Sequence, residues 1–286
     1  MKNDLFFDLK IATISEASQS YDSEADLVNL TAVDPSFGFV RPMKVSWRAY
    51  IQEYDDLFQF IKADRLKKSL KKWFREYKEE GISIEYIQDL SLEQYNTWLA
   101  KYSLLLSEKE RPNLKITQEW YLEKKQAGKT LGAIFLYQDG EFIGGNVCVI
   151  EEERLSVGYG VVEKRPGTSF NMGAFVDFAT LMFARDLKKE YVSFGQDTNL
   201  YGHHLSVGLL SYKSRFGLTA VPVAKSGIVT TKFTHFEHFV DTFAFVALDG
   251  DKTNLVVVYR GEKPHPDEFK ARGITDVVLL DRSQLI

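Results

Sequence analysis

A short polar segment carries the densest reactive chemistry of the sequence. Residues 196–204 read Gln-Asp-Thr-Asn-Leu-Tyr-Gly-His-His and directly follow a short apolar run. Loops at the end of a buried strand are common places for sites. Asp197 or His203 is a candidate proton acceptor, and His203 is favoured because the unperturbed pKa of histidine is about 6.5. Tyr201 or the later Tyr212 is a candidate proton donor.

The same segment has a purely structural interpretation. Asp197 and Asn199 are residue types that favour turns, and the histidines would then lie on the surface. Gln196, at the edge of the preceding strand, would in a third interpretation orient a substrate.

A second candidate site lies just before residue 172, where a helix is predicted to begin. The first turn of a helix has free N–H groups and the positive end of the helix dipole, which together attract anions such as phosphate. Backbone and side-chain donors around this point are Gly167, Thr168, Ser169, Asn171 and Gly173, and Arg165 adds positive charge. Alternatively, Ser169 or Asn171 only caps the helix.

Two glycines mark a third candidate, in a predicted strand that ends at Val162. Gly158 and Gly160 flank Tyr159. Glycine inside a strand permits a β-bulge or the close approach of another backbone. The alternative is that the glycines relieve packing against a neighbouring aromatic side chain.

Other chemistries have little support. The histidine clusters, His203 with His204 and His235 with His238, lack the spacing of known metal motifs, so no metal is expected. There is no Gly-x-Ser-x-Gly elbow and no nucleotide phosphate loop. Cys148 lies in the middle of a predicted strand, where burial would make its thiol inert.

Composition predicts a folded protein without a large electrostatic field. The 286 residues are 44% hydrophobic, and 36 Lys and Arg against 40 Asp and Glu give a net charge of −4. Such a balance does not draw a protein to DNA or to an anionic membrane. A single cysteine, an N-terminus without a signal-peptide pattern and the lack of a long apolar run predict a soluble, cytoplasmic protein.

Two N-terminal segments precede the elements that would position these residues. Residues 1–48 lack periodicity and are predicted to be an irregular arm with one or two strands. Apolar residues over 47–77 recur every three to four positions, which predicts one helix or a broken pair of helices. The other face of this helix is basic, and it either binds phosphates or is simply solvated. The basic residues are Lys62, Arg65, Lys67, Lys68, Lys71, Lys72, Arg75 and Lys78.

From residue 82 the pattern alternates between strands and helices. A strand at 82–87 is followed by helices at 91–106 and 117–127. An antiparallel meander of strands at 131–137, 141–150 and 154–162 comes next. The order continues with a helix at 172–189, a strand at 191–194, a polar loop, a helix at 205–216 and a strand at 218–224. Beyond residue 226, strands near 243–248, 255–259 and 277–280 and a short helix near 267–271 are predicted.

This order of elements, together with two short sequence motifs, resembles the GNAT acyltransferase superfamily. Residues 132–145 contain an Asp-Gly turn followed by Ile-Gly-Gly, similar to the paired central strands of that fold. Residues 208–217, Gly-Leu-Leu-Ser-Tyr-Lys-Ser-Arg-Phe-Gly, resemble a sequence motif that is common in its Fem-like branch. The resemblance implies an α/β (α+β) fold with a mixed, mainly antiparallel central sheet flanked by helices. Three regions are predicted: an arm with a basic helix over 1–80, a GNAT-like core over 81–225 and a β-rich extension over 226–286.

The resemblance also implies a reaction. In that fold the third meander strand splays from the next, parallel strand, and free N–H groups in the gap bind the donor. The donor-binding residues would be Gly158, Tyr159, Gly160, Val162, Arg165, Gly167, Thr168, Ser169, Asn171 and Gly173. An acyl-CoA would pass its acyl group directly to an amine or hydroxyl of a small molecule, a peptide or an amino sugar, and the proton donor would protonate the departing thiolate.

Two rival functions stay open. An aminoacyl-tRNA donor would use the basic helix, and a non-catalytic binding protein would keep the fold without the donor. The second rival draws on the loop at Arg165, which is followed by Gly167 and then only by Gly173, whereas conventional members carry Arg/Gln-x-x-Gly-x-Gly/Ala. Strands after residue 240 are also available for pairing with another subunit.

Overall fold

A computed structural model describes residues 2–6, 9–22, 24–107, 116–163, 171–203 and 205–284. The chain divides into two compact units. We call Arg48–Gly195 the continuous unit, and Met1–Trp47 together with Gln196–Ile286 the split unit. The three-region division predicted from the sequence stays a prediction.

The described part of the chain forms fifteen strands and five α-helices. In chain order they are β1 (Lys2–Phe6), β2 (Leu9–Ile14), β3 (Leu27–Leu30), β4 (Phe39–Pro42), β5 (Lys44–Tyr50), α1 (Asp64–Glu76), β6 (Ile82–Ile87), α2 (Leu92–Ser107), α3 (Gln118–Gln126), β7 (Thr130–Gln138), β8 (Glu141–Ile150), β9 (Arg154–Val162), α4 (Met172–Asp186), β10 (Tyr191–Thr198), α5 (Val207–Phe216), β11 (Thr219–Pro222), β12 (Ile228–Phe233), β13 (Thr242–Asp249), β14 (Lys252–Tyr259) and β15 (Val277–Asp281).

The continuous unit is built on a mixed sheet with strand order β10-β9-β8-β7-β6. β7 to β9 form the predicted antiparallel meander, β6 pairs antiparallel with β7, and β10 runs parallel to β9. The turn between β7 and β8 has positive φ at both Asp139 and Gly140 (55° and 84°), as a tight hairpin requires. The predicted fold class, a mixed and mainly antiparallel α/β fold, is confirmed.

Helices cover both faces of this sheet. α2 and α3 bury Tyr95, Trp98 and Tyr121 against β7 and β8, and these aromatic side chains form the core of that face. α4 packs on the other face. Asn146 of β8 contacts α4, whereas the next residue, Val147, belongs to the α2–α3 core, and successive residues of a strand point to opposite faces.

The split unit contains two further sheets. One has the order β1-β2-β3-β12-β4 and the other the order β13-β14-β15. Its core holds a cluster of phenylalanines whose rings touch one another: Phe233, Phe236, Phe239, Phe243 and Phe245. The strands predicted after residue 240 are confirmed, and the short helix near 267–271 is a 3₁₀ turn at Pro266–Glu268.

The prediction of an irregular N-terminal arm was wrong. Five strands lie within the first 50 residues. β3 and β4 pair with β12, which is almost 200 residues later in the chain. All four residues of β3 are buried, so its sequence shows no alternation of apolar and polar residues.

The prediction of a helix beginning near residue 47 was also wrong. β5 extends to Tyr50, and two short 3₁₀ turns, Ile51–Glu53 and Leu57–Phe60, precede α1. A 3₁₀ turn repeats every three residues, so its apolar spacing resembles that of an α-helix. The carboxylate of Asp56 caps the second turn by accepting a hydrogen bond from the Phe58 N–H.

We expect Gly144→Ala to destabilise the protein more than Gly128→Ala. Both glycines have positive φ (130° and 68°), but a Cβ at residue 144 would lie 2.2 Å from the Val161 carbonyl oxygen, whereas one at residue 128 would meet no atom within 4 Å. Strain alone costs about 1 kcal/mol at Gly128, and strain with overpacking costs about 3 kcal/mol at Gly144. Urea unfolding of the two variants measures the difference, and equal midpoints would contradict the close approach of β8 to β9.

Candidate functional site

The parallel ladder between β9 and β10 is short. It consists of the pairs Arg154–Tyr191, Leu155–Val192 and Ser156–Ser193. β9 continues to Val162, but no further pair with β10 is formed among the described residues. Two residues after the last pair, Gly195 has a φ of 85°, which turns β10 away from the extended path. A gap therefore opens beside the second half of β9.

The gap exposes the hydrogen-bonding edge of β9. Residues 157–162 pair with β8 on one side, and no other strand of the described residues pairs with them on the other side. In an antiparallel strand, every second residue directs its N–H and C=O away from the partner. About three residues of this segment therefore offer backbone donors and acceptors to the gap. An extended ligand with amide groups is complementary to such an edge.

Gly158 sits at a bulge in this edge. Val147 faces Tyr159 and Cys148 faces Val157, so Gly158 is the extra residue in β9. The predicted bulge is thus present, and so is the predicted aromatic neighbour, because a Cβ at residue 158 would lie 3.3 Å from the Trp120 ring.

Tyr159 continues the aromatic wall at the bulge. Its ring lies 5.8 Å from that of Trp120 and 6.0 Å from that of Tyr102. Burial raises the pKa of Tyr159, so its hydroxyl stays protonated at neutral pH. One side of the bulged strand is therefore apolar and aromatic.

Gly160 is required for packing on the opposite face. A Cβ there would lie 2.1 Å from Asn146 Oδ1. Asn146 is buried, and its Nδ2 donates to Asp177 Oδ1 and Thr180 Oγ1, both at 3.1 Å. This contact between β8 and α4 was not predicted from the sequence, although an asparagine within the apolar run 143–150 is a signal for a buried polar contact.

The start of α4 offers a second set of donors. Asn171 caps the helix by accepting a hydrogen bond from the Ala174 N–H at 3.1 Å, as one of the two interpretations predicted. The N–H groups of Met172 and Gly173 have no acceptor within the helix geometry. Gly173 is exposed, and among the described residues a Cβ there would meet only Asn171 Oδ1, at 3.5 Å. Arg165, Gly167, Thr168 and Ser169 lie outside the described residues.

Asp197 and Tyr201 contact each other in the split unit, within a buried network of hydrogen bonds. Tyr201 Oη donates to Asp197 Oδ2 at 2.9 Å, and Lys213 Nζ donates to the same oxygen at 2.6 Å. Trp47 Nε1 donates to Tyr201 Oη at 2.8 Å. All four residues are buried, and burial with the adjacent Asp197 charge raises the pKa of Tyr201 well above its usual range. Asp197 is therefore engaged in an ion pair.

The segment predicted as a polar loop is largely buried and is held by hydrogen bonds to other strands. β10 extends through it to Thr198, and Tyr201 exchanges backbone hydrogen bonds with Ala244 of β13. Asn199 is fully buried and bonds through its side chain to the backbone of Pro42 and Val246. The alternative interpretation took Asp197 and Asn199 as turn residues. Asp197 instead lies in β10, and the backbone of distant strands supplies the partners of Asn199.

His203 and Tyr212 have different surroundings. His203 is 8% exposed, and its ring lies edge-on to Phe239 at 4.9 Å. Tyr212 is half-buried on α5, 5.6 Å from the Phe216 ring. Gln196 is exposed. The capping of α5 by Ser206 and its end at Gly217, with φ 107°, follow the sequence pattern.

The basic face of α1 is partly neutralised by acids. Lys67 pairs with Asp64 at 3.5 Å, and Lys71 pairs with Asp56 at 3.5 Å. Lys72 and Arg75 both contact Glu76. These exposed pairs are weak individually, but they lower the positive charge that this helix offers to phosphates.

Neither a metal cluster nor a membrane-spanning helix is present among the described residues. No cluster of three or more His, Cys, Asp or Glu side chains is arranged to hold a metal ion. Of the helices that the structure describes, none combines the length and the apolar character needed to cross a bilayer.

Comparison with known proteins finds similar structures only. No family profile matches the chain, and no curated protein matches its sequence. FemX has 10% identity and a TM-score of 0.49 over 65% of this chain and 60% of its own. A tandem GNAT protein from the clavulanic acid biosynthesis pathway has 13% identity and a TM-score of 0.40 over 73% of this chain and 63% of its own. An N-acetyltransferase of Thermoplasma acidophilum, solved with coenzyme A, has 14% identity and a TM-score of 0.32 over 53% of this chain and 99% of its own.

These structures are of the GNAT and Fem types that the sequence resembles. The chain spans about 60% of the length of the FemX chain. With identities of 14% or less and TM-scores below 0.5, the similarities decide nothing about activity.

We expect Asp197→Asn to lower the free energy of unfolding by about 3–5 kcal/mol, because the buried Lys213 ammonium would lose the charge of Asp197. The double variant Asp197→Asn/Lys213→Met removes both charges and should recover most of that loss. Chemical denaturation of both variants measures this coupling. If the two substitutions lowered stability additively, the buried ion pair would not be the interaction that matters here.

Proposed function

We propose that the protein is an acyltransferase that moves an acyl group from a CoA-type thioester to an amine or hydroxyl acceptor. The observation that carries this proposal is the open edge of β9, where pairing with β10 ends at Ser156 and Ser193 and a bulge follows at Gly158. An unpaired strand edge inside a sheet suits a donor with an extended, amide-containing arm.

The donor would be held at two points of the continuous unit. The amides of its pantetheine arm would pair with the backbone between Gly158 and Val162, in the manner of an added strand. Its phosphates would lie at the start of α4, where the N–H groups of Met172 and Gly173 point outward. The roles of Arg165, Gly167, Thr168 and Ser169 in holding the phosphates stay predictions.

The transfer would proceed by direct attack. The acceptor's nitrogen or oxygen forms a bond to the thioester carbonyl carbon, the C–S bond breaks, and the acceptor's proton passes to the thiolate through a proton acceptor and a proton donor. A cysteinyl intermediate is disfavoured, because Cys148 is fully buried and burial raises the pKa of its thiol far above the usual range.

Among the four candidate acid–base residues we favour Tyr212 as the proton donor. Asp197 and Tyr201 are bound to each other and to Lys213, and we assign them a positioning role for the segment after β10. His203 is enclosed by phenylalanine rings. Tyr212 is half-buried, so a ligand can reach its side chain. The acceptor would be a small molecule, a peptide or an amino sugar.

An aminoacyl-tRNA donor is the second candidate, and the basic face of α1 is its only support. Four of its basic residues are paired with Asp56, Asp64 or Glu76. We therefore favour acyl-CoA. Binding of tRNA that weakens steeply with salt, and weakens further when these lysines become Gln, would reverse this preference.

Gly173→Leu should weaken acetyl-CoA binding by about tenfold without loss of stability. The new side chain would lie over the first N–H groups of α4, and the nearest atom of the described residues to a Cβ is 3.5 Å away, so no clash with them is expected. Calorimetric titration of the full chain with acetyl-CoA and a longer acyl-CoA measures the effect.

Gly208→Leu is the matched control. Gly208 holds the same second position of α5, after the cap Ser206, and a Cβ there has its nearest atom at 3.7 Å. This variant should bind acyl-CoA like the wild type. Absence of heat with every acyl-CoA, or equal weakening by both leucines, would contradict the proposed donor site.

Tyr212→Phe should lower kcat by about 10²-fold and leave the Kd for acyl-CoA unchanged, because only the proton donor is removed. Tyr201→Phe should instead lower stability, since the Asp197 carboxylate loses a buried donor. Single-turnover rates with an amine that the protein acylates measure the loss of rate, and thermal unfolding measures the loss of stability. A Tyr212→Phe variant with wild-type kcat would remove Tyr212 from the mechanism.

A further inference from the structure

A cavity of about 430 Å³ lies in the continuous unit, apart from the edge of β9. It is formed by the segment that ends in the second 3₁₀ turn, by α1 and by α4. Its walls include Asp55, Phe58, Phe74, Phe178 and Arg185. Its size is within the usual range for small-molecule sites.

The floor of the cavity is aromatic. Phe58 stacks on Phe178 with ring centroids 4.5 Å apart, and Phe74 meets Phe178 edge-on at 5.0 Å. Phe178 is buried, whereas Phe58 and Phe74 are half-buried and keep part of their surface towards the cavity. An apolar group that covers these rings would remove their exposed surface from water.

Two residues of opposite charge, Asp55 and Arg185, lie at the rim. Arg185 Nη1 donates to the backbone carbonyl oxygen of Asp55 at 3.3 Å, so the guanidinium lies beside that residue. Among the described residues, neither the Asp55 carboxylate nor the Arg185 guanidinium forms an ion pair. The neighbouring Asp56, in contrast, is occupied by Lys71 and by the Phe58 N–H.

We propose that this cavity binds a free α-amino acid with an aromatic or large aliphatic side chain. Its carboxylate would pair with Arg185, its ammonium with Asp55, and its side chain would cover the rings of Phe58 and Phe74. The two charges of an α-amino acid are separated by one carbon, and the two residues that would bind them are in contact through the Arg185 guanidinium and the Asp55 backbone. A simple amine would leave Arg185 without a partner, and a simple carboxylic acid would leave Asp55 without one.

The site is independent of the proposed donor site. None of its lining residues belongs to β9 or to the first turn of α4. Binding of the amino acid is therefore measured in the absence of acyl-CoA, so that failure of one proposal leaves the other untouched.

Calorimetric titration of the full chain with L-phenylalanine, phenethylamine and 3-phenylpropionate tests the assignment. We expect L-phenylalanine to bind, and each analogue that lacks one charge to bind about tenfold more weakly. No heat with L-phenylalanine at millimolar concentration would overturn the proposal. Equal binding of phenethylamine would also overturn it, because the cavity would then be a site for organic cations.

Matched variants locate the binding. Asp55→Asn and Arg185→Gln should each weaken L-phenylalanine binding by about tenfold. Glu53→Gln and Arg65→Gln change exposed residues of the same unit that do not line the cavity, and should leave binding unchanged. All four positions are exposed, so the variants should fold, which circular dichroism and thermal unfolding verify. Unchanged binding in both Asp55→Asn and Arg185→Gln would overturn the proposal.

Discussion

Hydrogen bonding between β9 and β10 stops at Ser156 and Ser193, and the proposed chemistry needs that interruption. A complete ladder would consume every backbone group of β9 and leave nothing for a donor. Two glycines produce the interruption locally. Gly158 adds a residue to β9, and Gly195 turns β10 out of the extended path. The rest of the continuous unit holds this edge in place, since aromatic residues of α2 and α3 support one face and the Asn146–Asp177 contact supports the other.

The split unit contains buried charged side chains that are stabilised in two ways. Asp197 and Lys213 neutralise each other, and Tyr201 and Trp47 complete their hydrogen bonds. Arg41 is also buried but has only neutral partners, Thr231, Asn29 and the Asn199 carbonyl. Burial lowers the pKa of Arg41 to about 10, so it remains charged at neutral pH. Such groups fix the geometry of a fold more than they add to its stability.

The sequence predicted local structure well and long-range partners poorly. The elements between β6 and α5 follow strong periodicity, capping residues and an Asp-Gly turn, all of which act over a few residues. The strands before residue 50 depend on pairing with β12, and no local pattern shows such a partner. The polar chemistry of residues 196–204 was recognised, but the ion pair of Asp197 depends on Lys213, which lies sixteen residues further on. At the donor site, Gly158 and Gly160 were found from the sequence because glycine in a strand is itself a signal, whereas Gly195 was not recognised. Asn146 and Asp177 were missed because their contact depends on packing between β8 and α4.

Hydrogen exchange of the backbone amides in residues 157–162 tests the open edge most directly. In the free protein, the amides of this segment that point away from β8 should exchange faster than those of residues 154–156, which pair with β10. On addition of acyl-CoA, these amides and those at the start of α4 should become protected, while those of β13 and β14 should not change. Amides that are already protected in the free protein, or that do not respond to acyl-CoA at saturating concentration, would contradict the proposed donor site.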